Sequence, residues 1–196
     1  MATTFGKVSS HYLVDTDGTI LRLVDERDRG HHADVSSWFS MHDLNSAAIG
    51  IEITNSGFEP FSERRIDSVL VILKSIKERY KMPARNFIGH MDIAPGRKVD
   101  PNKYFPWKRL AAEGYGLWYD EDKAKQMSED PTAVASLRDS MINFVLLGYG
   151  VKKPEITIEA FKSRYTVADK SGKLSDYDKH VLRLLADQVM EDAQKE

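Results

Sequence analysis

The sequence predicts an α/β protein: a mixed central sheet flanked by helices, followed by a small C-terminal domain of three helices. Three observations carry this. In the first half, short β-branched and apolar runs alternate with one long amphipathic segment. A polar, proline-terminated stretch, "DEDKAKQMSEDP", then interrupts the chain at 120–131. Beyond it the apolar residues recur only with helical spacing. The expected organisation is therefore a domain over residues 1–119, a linker over 120–131 and a helical domain over 132–196.

The elements follow in order. "HYLVDTDGTILRLV" reads as two short strands around Asp17-Gly18, a strong hairpin signal. "AAIGIEITN" (47–55) is nearly continuous and β-branched, the pattern of a central buried strand, with the charged Glu52 in its middle. Ile66, Val69, Leu70, Leu73, Ile76 and Tyr80 mark one face of a helix over 62–80 that starts at Ser62. "NFIGH" (86–90) reads as a further short strand. In the helical domain, Val134, Leu137, Met141, Phe144 and Val145 define a first stripe, stopped by the glycines of "LLGYG". A second helix runs from Glu155 to Tyr165, and Val181, Leu184, Leu185 and Val189 define a third.

Composition narrows the function. The 196 residues carry a net charge of −2, so no global basic field recommends nucleic acid as a partner. No apolar run approaches the roughly 20 residues that cross a bilayer. Cysteine is absent, which removes disulfides, thiolate nucleophiles and Cys-ligated zinc. "MATTFGKVSS" has no apolar core and does not read as a signal peptide.

One loop stands out. "FIGHMDIAPGRKVDP" (87–101) places His90, Lys98 and Asp100 in an irregular stretch punctuated by prolines. Each has an ordinary reading: a polar residue ending a strand, a surface ion pair worth little, and for Glu52 an edge-exposed strand position. Together they also suit metal-assisted hydrolysis. Imidazole and carboxylate are zinc ligands, a lysine can stabilise a developing oxyanion, and a strand carboxylate can accept a proton from water.

"VSSHYLVDTDG", "HHADVSSW", "NSAAIGIEITNSG" and "IGHMDIAPGRKVDPNKYFPWKRL" stand in the order found in type-2 N-acetylmuramoyl-L-alanine amidases. Residues 8–118 resemble the AmiD/AmpD branch of that family, whose fold is shared with peptidoglycan recognition proteins. The resemblance implies a zinc-dependent enzyme cleaving the amide between N-acetylmuramic acid and L-alanine, with peptidoglycan or a muropeptide as partner. It implies His90 and Asp100 as zinc ligands, Glu52 as the group that activates water, and Lys98 as the oxyanion donor. It also implies a monomer of the cell envelope or periplasm, the alternative being the cytoplasm. Residues 132–190 resemble a peptidoglycan-binding three-helix module, with Lys162 where that module has glutamine. His11 and His32 match family histidines that are not metal ligands. His31 and His42 are expected in loops, His180 on the last helix, and Trp38 in core packing.

The family's first zinc histidine lies on a strand upstream of "VSSHYLV", and no matching "HYT" pattern occurs in this sequence. Two matched ligands fall short of the three that a catalytic zinc normally has. The expectation is weak zinc binding and little or no activity for a chain with only these two. The rival reading is a non-catalytic peptidoglycan-binding protein on the same scaffold.

Overall fold

The computed structural model describes residues 9–130, 136–167 and 171–195. They form two compact units: the chain up to Ser37 together with Met41–Met82, and Trp38–Ser40 together with everything from Pro83 onward.

The first unit is built on a hairpin. Strands β1 (Tyr12–Val14) and β2 (Ile20–Arg22) pair antiparallel, and β3 (Ile51–Ile53) joins β1 in parallel, giving the order β2-β1-β3. The turn closes with Asp15 and Thr19 paired at 2.9 Å. Gly18 sits there at φ 83°, where a side chain would also meet Arg64 and Ser68. Those residues belong to α2 (Glu63–Tyr80), which Ser68 ties to the turn through a 2.6 Å bond from its Oγ to the Gly18 carbonyl. Helix α2 starts at Ser62, whose hydroxyl accepts from the Arg65 amide, and ends where Lys81 turns left-handed. Its buried stripe is Ile66, Val69, Ile72, Leu73 and Ile76. Tyr80 leaves that stripe; it is exposed, and its hydroxyl donates to Glu26 at 2.9 Å. A short helix, α1 (Leu44–Ala47), precedes β3.

The 47–55 segment is not a central strand. Only Ile51–Ile53 enters the ladder, β1 is its one partner among the described residues, and Glu52 is exposed while Ile51 and Ile53 are half-buried. Alternation explains the placement: Val14, fully buried, pairs with Ile53 on the face toward α2, and Leu13 pairs with Glu52 on the other.

The second unit is helical. A 3-10 turn at Ala84–Asn86 leads to α3 (His90–Ile93), then α4 (Trp107–Ala112), α5 (Glu121–Glu129), α6 (Leu137–Leu146), α7 (Pro154–Tyr165) and α8 (Asp176–Ala193). "NFIGH" is not a strand. Residues 87–89 are extended, but the Phe87 carbonyl accepts from Arg164 and the Gly89 amide donates to Asp92, so these backbone groups go to side chains rather than to a ladder. Nor is 120–131 purely a linker. Asp120 caps α5 through a 2.9 Å bond from the Lys123 amide, and Ala124 is wholly buried on a helix that packs against α8.

Phe144, Phe161, Leu182 and Leu185 form the centre of the bundle, with the Phe144 and Phe161 rings edge-on at 5.4 Å. The buried face of α6 is Ser140 and Phe144, continued by Leu147, whereas Leu137 and Val145 are exposed. The buried face thus lies about a quarter of a turn from the predicted stripe. Val134 and Pro131 lie outside the described residues.

Candidate active site

The loop carrying the predicted ligands is assembled by close packing around one glycine. A side chain on Gly89 would place its Cβ 2.6 Å from Pro101 and 3.1 Å from Trp107. The Gly89 amide donates to the Asp92 carboxylate at 2.8 Å, which ties down the first turn of α3. The next amide but one, that of Met91, donates to the Asp100 carbonyl at 2.8 Å. This pins residue 100 beside residue 90. In between, the amides of Arg97 and Lys98 both return to the Ala94 carbonyl, at 3.1 and 3.0 Å, and Gly96 turns the chain at φ 75°.

The result is that His90 Nδ1 and Asp100 Oδ2 lie 3.1 Å apart. The imidazole is 15% exposed and the carboxylate 59%, so the pair has a covered side and an open one. Burial opposes ionisation of Asp100, but the hydrogen bond and charge of His90, with Lys98 adding its own, outweigh it and hold the carboxyl below the usual value. Lys98 is half-buried and close enough for that effect. Glu52 belongs to the first unit, on the sheet face away from α2.

Two features of the pair bear on a metal. Its 3.1 Å separation is close to the roughly 3.3 Å edge of a tetrahedron of ligands about 2.0 Å from zinc. His90 Nε2 is buried and has no hydrogen-bond partner among the described residues. Yet among those residues no group of three His, Cys, Asp or Glu side chains is placed to hold an ion. The described residues thus place two possible metal donors side by side, with no third beside them.

His11 and His32 have ring nitrogens engaged with the backbone of their own unit. His11 is 1% exposed and uses both ring nitrogens: Nδ1 accepts from the Gly50 amide at 3.0 Å, leaving Nε2 to donate to the Asp28 carbonyl at 3.1 Å. His32 meets it edge-on at 5.3 Å, with its own Nε2 3.2 Å from the Ala48 carbonyl. His31 and His42 are exposed, and His180 is buried on α8. Trp38 is buried against Tyr149, their rings 5.1 Å apart. Lys162 is also buried, and its ammonium donates to the Lys173 carbonyl at 3.0 Å and lies 3.8 Å from Asp178.

Sequence reasoning missed one group of residues altogether. Asp92, Arg164 and Tyr149 form a buried polar cluster directly behind α3. No sequence signal marks it, since Arg164 stands among the other polar and charged residues of "EAFKSRY".

The profile of the N-acetylmuramoyl-L-alanine amidase family matches residues 2–103, just over half of the chain. This chain belongs to that family. It is 36% identical over 172 residues to N-acetylmuramoyl-L-alanine amidase AmiD of Escherichia coli K12, covering 77% of this chain and 61% of AmiD. With 1,6-anhydro-N-acetylmuramyl-L-alanine amidase AmpD of Haemophilus influenzae it shares 38% identity over 104 residues, 53% of this chain and 56% of that protein. The chain therefore spans less than two thirds of the length of either relative. Among solved structures, AmiD from E. coli in complex with the substrate anhydro-N-acetylmuramic acid-L-Ala-D-gamma-Glu-L-Lys superposes with a TM-score of 0.84 at 29% identity, covering 94% of this chain and 81% of that one. AmpDh3 from Pseudomonas aeruginosa gives 0.86 at 30%, covering 95% and 85%. The mixed α/β fold of this chain thus matches that of AmiD and AmpDh3.

Proposed function

We propose that this protein hydrolyses the amide bond between N-acetylmuramic acid and L-alanine in peptidoglycan or muropeptides, in a zinc-dependent reaction. The observation that carries the reading is the convergence of His90 and Asp100 at 3.1 Å in a chain of the amidase family. These two side chains would hold a zinc ion, which when bound supplies Lewis acidity toward the scissile carbonyl. A third ligand has to be found outside the described residues, and turnover of a two-ligand site is expected to be low. Glu52, exposed on the open face of its sheet, accepts a proton from the attacking water and returns it to the leaving amine. The Lys98 ammonium faces the oxygen that gains negative charge. Residues 132–196 are read as a peptidoglycan-binding module, the protein as a monomer, and its compartment as the cell envelope or periplasm, with the cytoplasm as the alternative.

A second reading, a peptidoglycan-binding protein without catalysis, is favoured by one observation: no third ligand joins His90 and Asp100 among the described residues. Incubation with anhydro-N-acetylmuramyl tripeptide, with and without added zinc, separates the two. The expected result is slow zinc-dependent release of the peptide, abolished in Asp100→Ala. Binding of the muropeptide with no release at any zinc concentration would establish the second reading instead.

A further inference from the structure

Helix α3 is four residues long, too short to hold its own orientation, yet it carries His90 at its first position. Its support comes from one side chain two residues on. Asp92 is 1% exposed and is engaged at both carboxylate oxygens. Oδ1 accepts from the Tyr149 hydroxyl at 2.5 Å. Oδ2 accepts from the Gly89 amide and from Arg164 Nη1. The guanidinium also donates through Nη2 to the Phe87 carbonyl at 3.1 Å, and it stacks 3.8 Å above the Trp107 ring. Trp107 in turn lies close against Gly89. One arginine therefore grips the backbone before His90, the side chain of Asp92 after it and the indole that packs on Gly89.

Arg164 lies on α7 and Tyr149 just after α6, in the stretch that sequence alone divides from the catalytic portion. The contact is wholly buried, with side-chain exposures of 2% for Arg164 and 0% for Asp92. Burial opposes the charge on Arg164, and the Asp92 carboxylate more than restores it, so the guanidinium stays protonated at any working pH. Burial and the Asp92 charge push the Tyr149 hydroxyl well above its usual range, which keeps it a donor.

We propose that Arg164 and Tyr149 are positioning residues for His90, acting through Asp92 to hold the imidazole at Asp100. The C-terminal helices then serve the site directly as well as any binding role of their own. Neither residue reaches the imidazole itself. The proposal deepens the amidase reading of the His90–Asp100 pair, and its primary test does not depend on turnover.

The test is long-range 1H–15N correlation of the imidazole ring of His90 in the intact chain, for Arg164→Gln, Arg164→Lys and Tyr149→Phe, with far-UV circular dichroism confirming the fold. In the unaltered protein the His90 Nδ1 resonance should report its hydrogen bond to Asp100, confirmed by its loss in Asp100→Ala, which has no acceptor there. Arg164→Gln should lose that signature while keeping its helix content, and Arg164→Lys should restore it in part. Tyr149→Phe removes a single hydroxyl and is expected to fold whether or not Arg164→Gln does; its His90 signal should shift in the same direction. Zinc affinity should fall by about 10–100-fold in Arg164→Gln, as for other groups that orient a metal ligand. His90 resonances unchanged in folded Tyr149→Phe, or in folded Arg164→Gln, would overturn the proposal. Should Asp100→Asn prove fully active on muropeptide, the amidase reading fails by itself and the spectroscopic coupling still decides this one.

Discussion

Replacing Gly89 by alanine tests the packing that brings the two ligands together. The backbone there is at φ −93°, a conformation open to any residue, so strain in the main chain is not the issue. Space is. The new methyl would lie 2.6 Å from Pro101 Cδ and 3.1 Å from Trp107, against an optimum of 3.5–4.0 Å between carbons. Both neighbours are rings held in place, Trp107 by the Arg164 stack, so the loop itself must move. Overpacking of this kind costs about 1–3 kcal/mol, and removing a glycine from the unfolded chain returns about 0.4–1 kcal/mol. The net loss is up to about 2.6 kcal/mol. For a chain of this size that lowers Tm by up to roughly 10 °C. Because Pro101 follows Asp100 directly, displacing it should also lengthen the His90–Asp100 contact, visible as a change in the His90 imidazole resonances. Differential scanning calorimetry with the same spectra gives both readings. A variant as stable as the parent, with unchanged His90 signals, would show that the loop absorbs a methyl freely and that glycine is not required there.

Other outcomes follow from the same geometry. Asp100 has its folded-state pKa depressed, so its contribution to stability is fully present above the ordinary carboxyl value of about 3.9 and is lost as pH falls through the lower folded value. Asp100→Asn should flatten the acid limb of a stability-against-pH curve below about pH 4; an acid limb unchanged in the variant would assign that loss of stability to another group. Lys162→Met keeps the buried stem but strips the Lys173 carbonyl of its donor, at a cost of about 1–3 kcal/mol in urea unfolding. A neutral result would mean that the ammonium, with its contacts to the Lys173 carbonyl and Asp178, adds no net stability. Under the amidase reading, in a form whose zinc site is complete, Lys98→Ala should lower turnover by about 10²–10³-fold and Glu52→Gln should lose most of it, both with zinc binding retained by equilibrium dialysis. Comparable loss of zinc in either variant would make that residue a ligand instead.

What could be read from the sequence was what local pattern determines. The Asp17-Gly18 turn and the 3.6-residue stripe of α2 need no distant partner, and both are present. "NFIGH" misled because its apolar residues imitate a strand, while its hydrogen bonds are claimed by Asp92 and by Arg164, the latter 77 residues from Phe87. Helix α5 was hidden by a polar surface with one small buried contact, Ala124. The α6 stripe was misjudged because Leu137 and Val145 remain exposed, and only the packing partner decides which face of a helix turns inward. At the site, His90 and Asp100 were legible because ten residues and a tight loop separate them. The Asp92–Arg164 pair was not, since no periodicity marks an ion pair that closes over 72 residues.

That long span has a consequence for the order in which the molecule is made. A nascent chain that has emerged only as far as Tyr119 already contains Glu52, His90, Lys98 and Asp100, and nothing in it can replace Tyr149 or Arg164. Contacts so remote in sequence form after local ones, because the intervening segment must first be gathered in. Translation adds about 5–20 residues per second, so the arginine reaches the histidine's support some seconds after the histidine itself is exposed. Helices α2 and the hairpin can form during that interval. The histidine's final orientation waits for the last third of the polypeptide, and a release from the ribosome before α7 would leave every predicted catalytic side chain present and its first turn without an anchor.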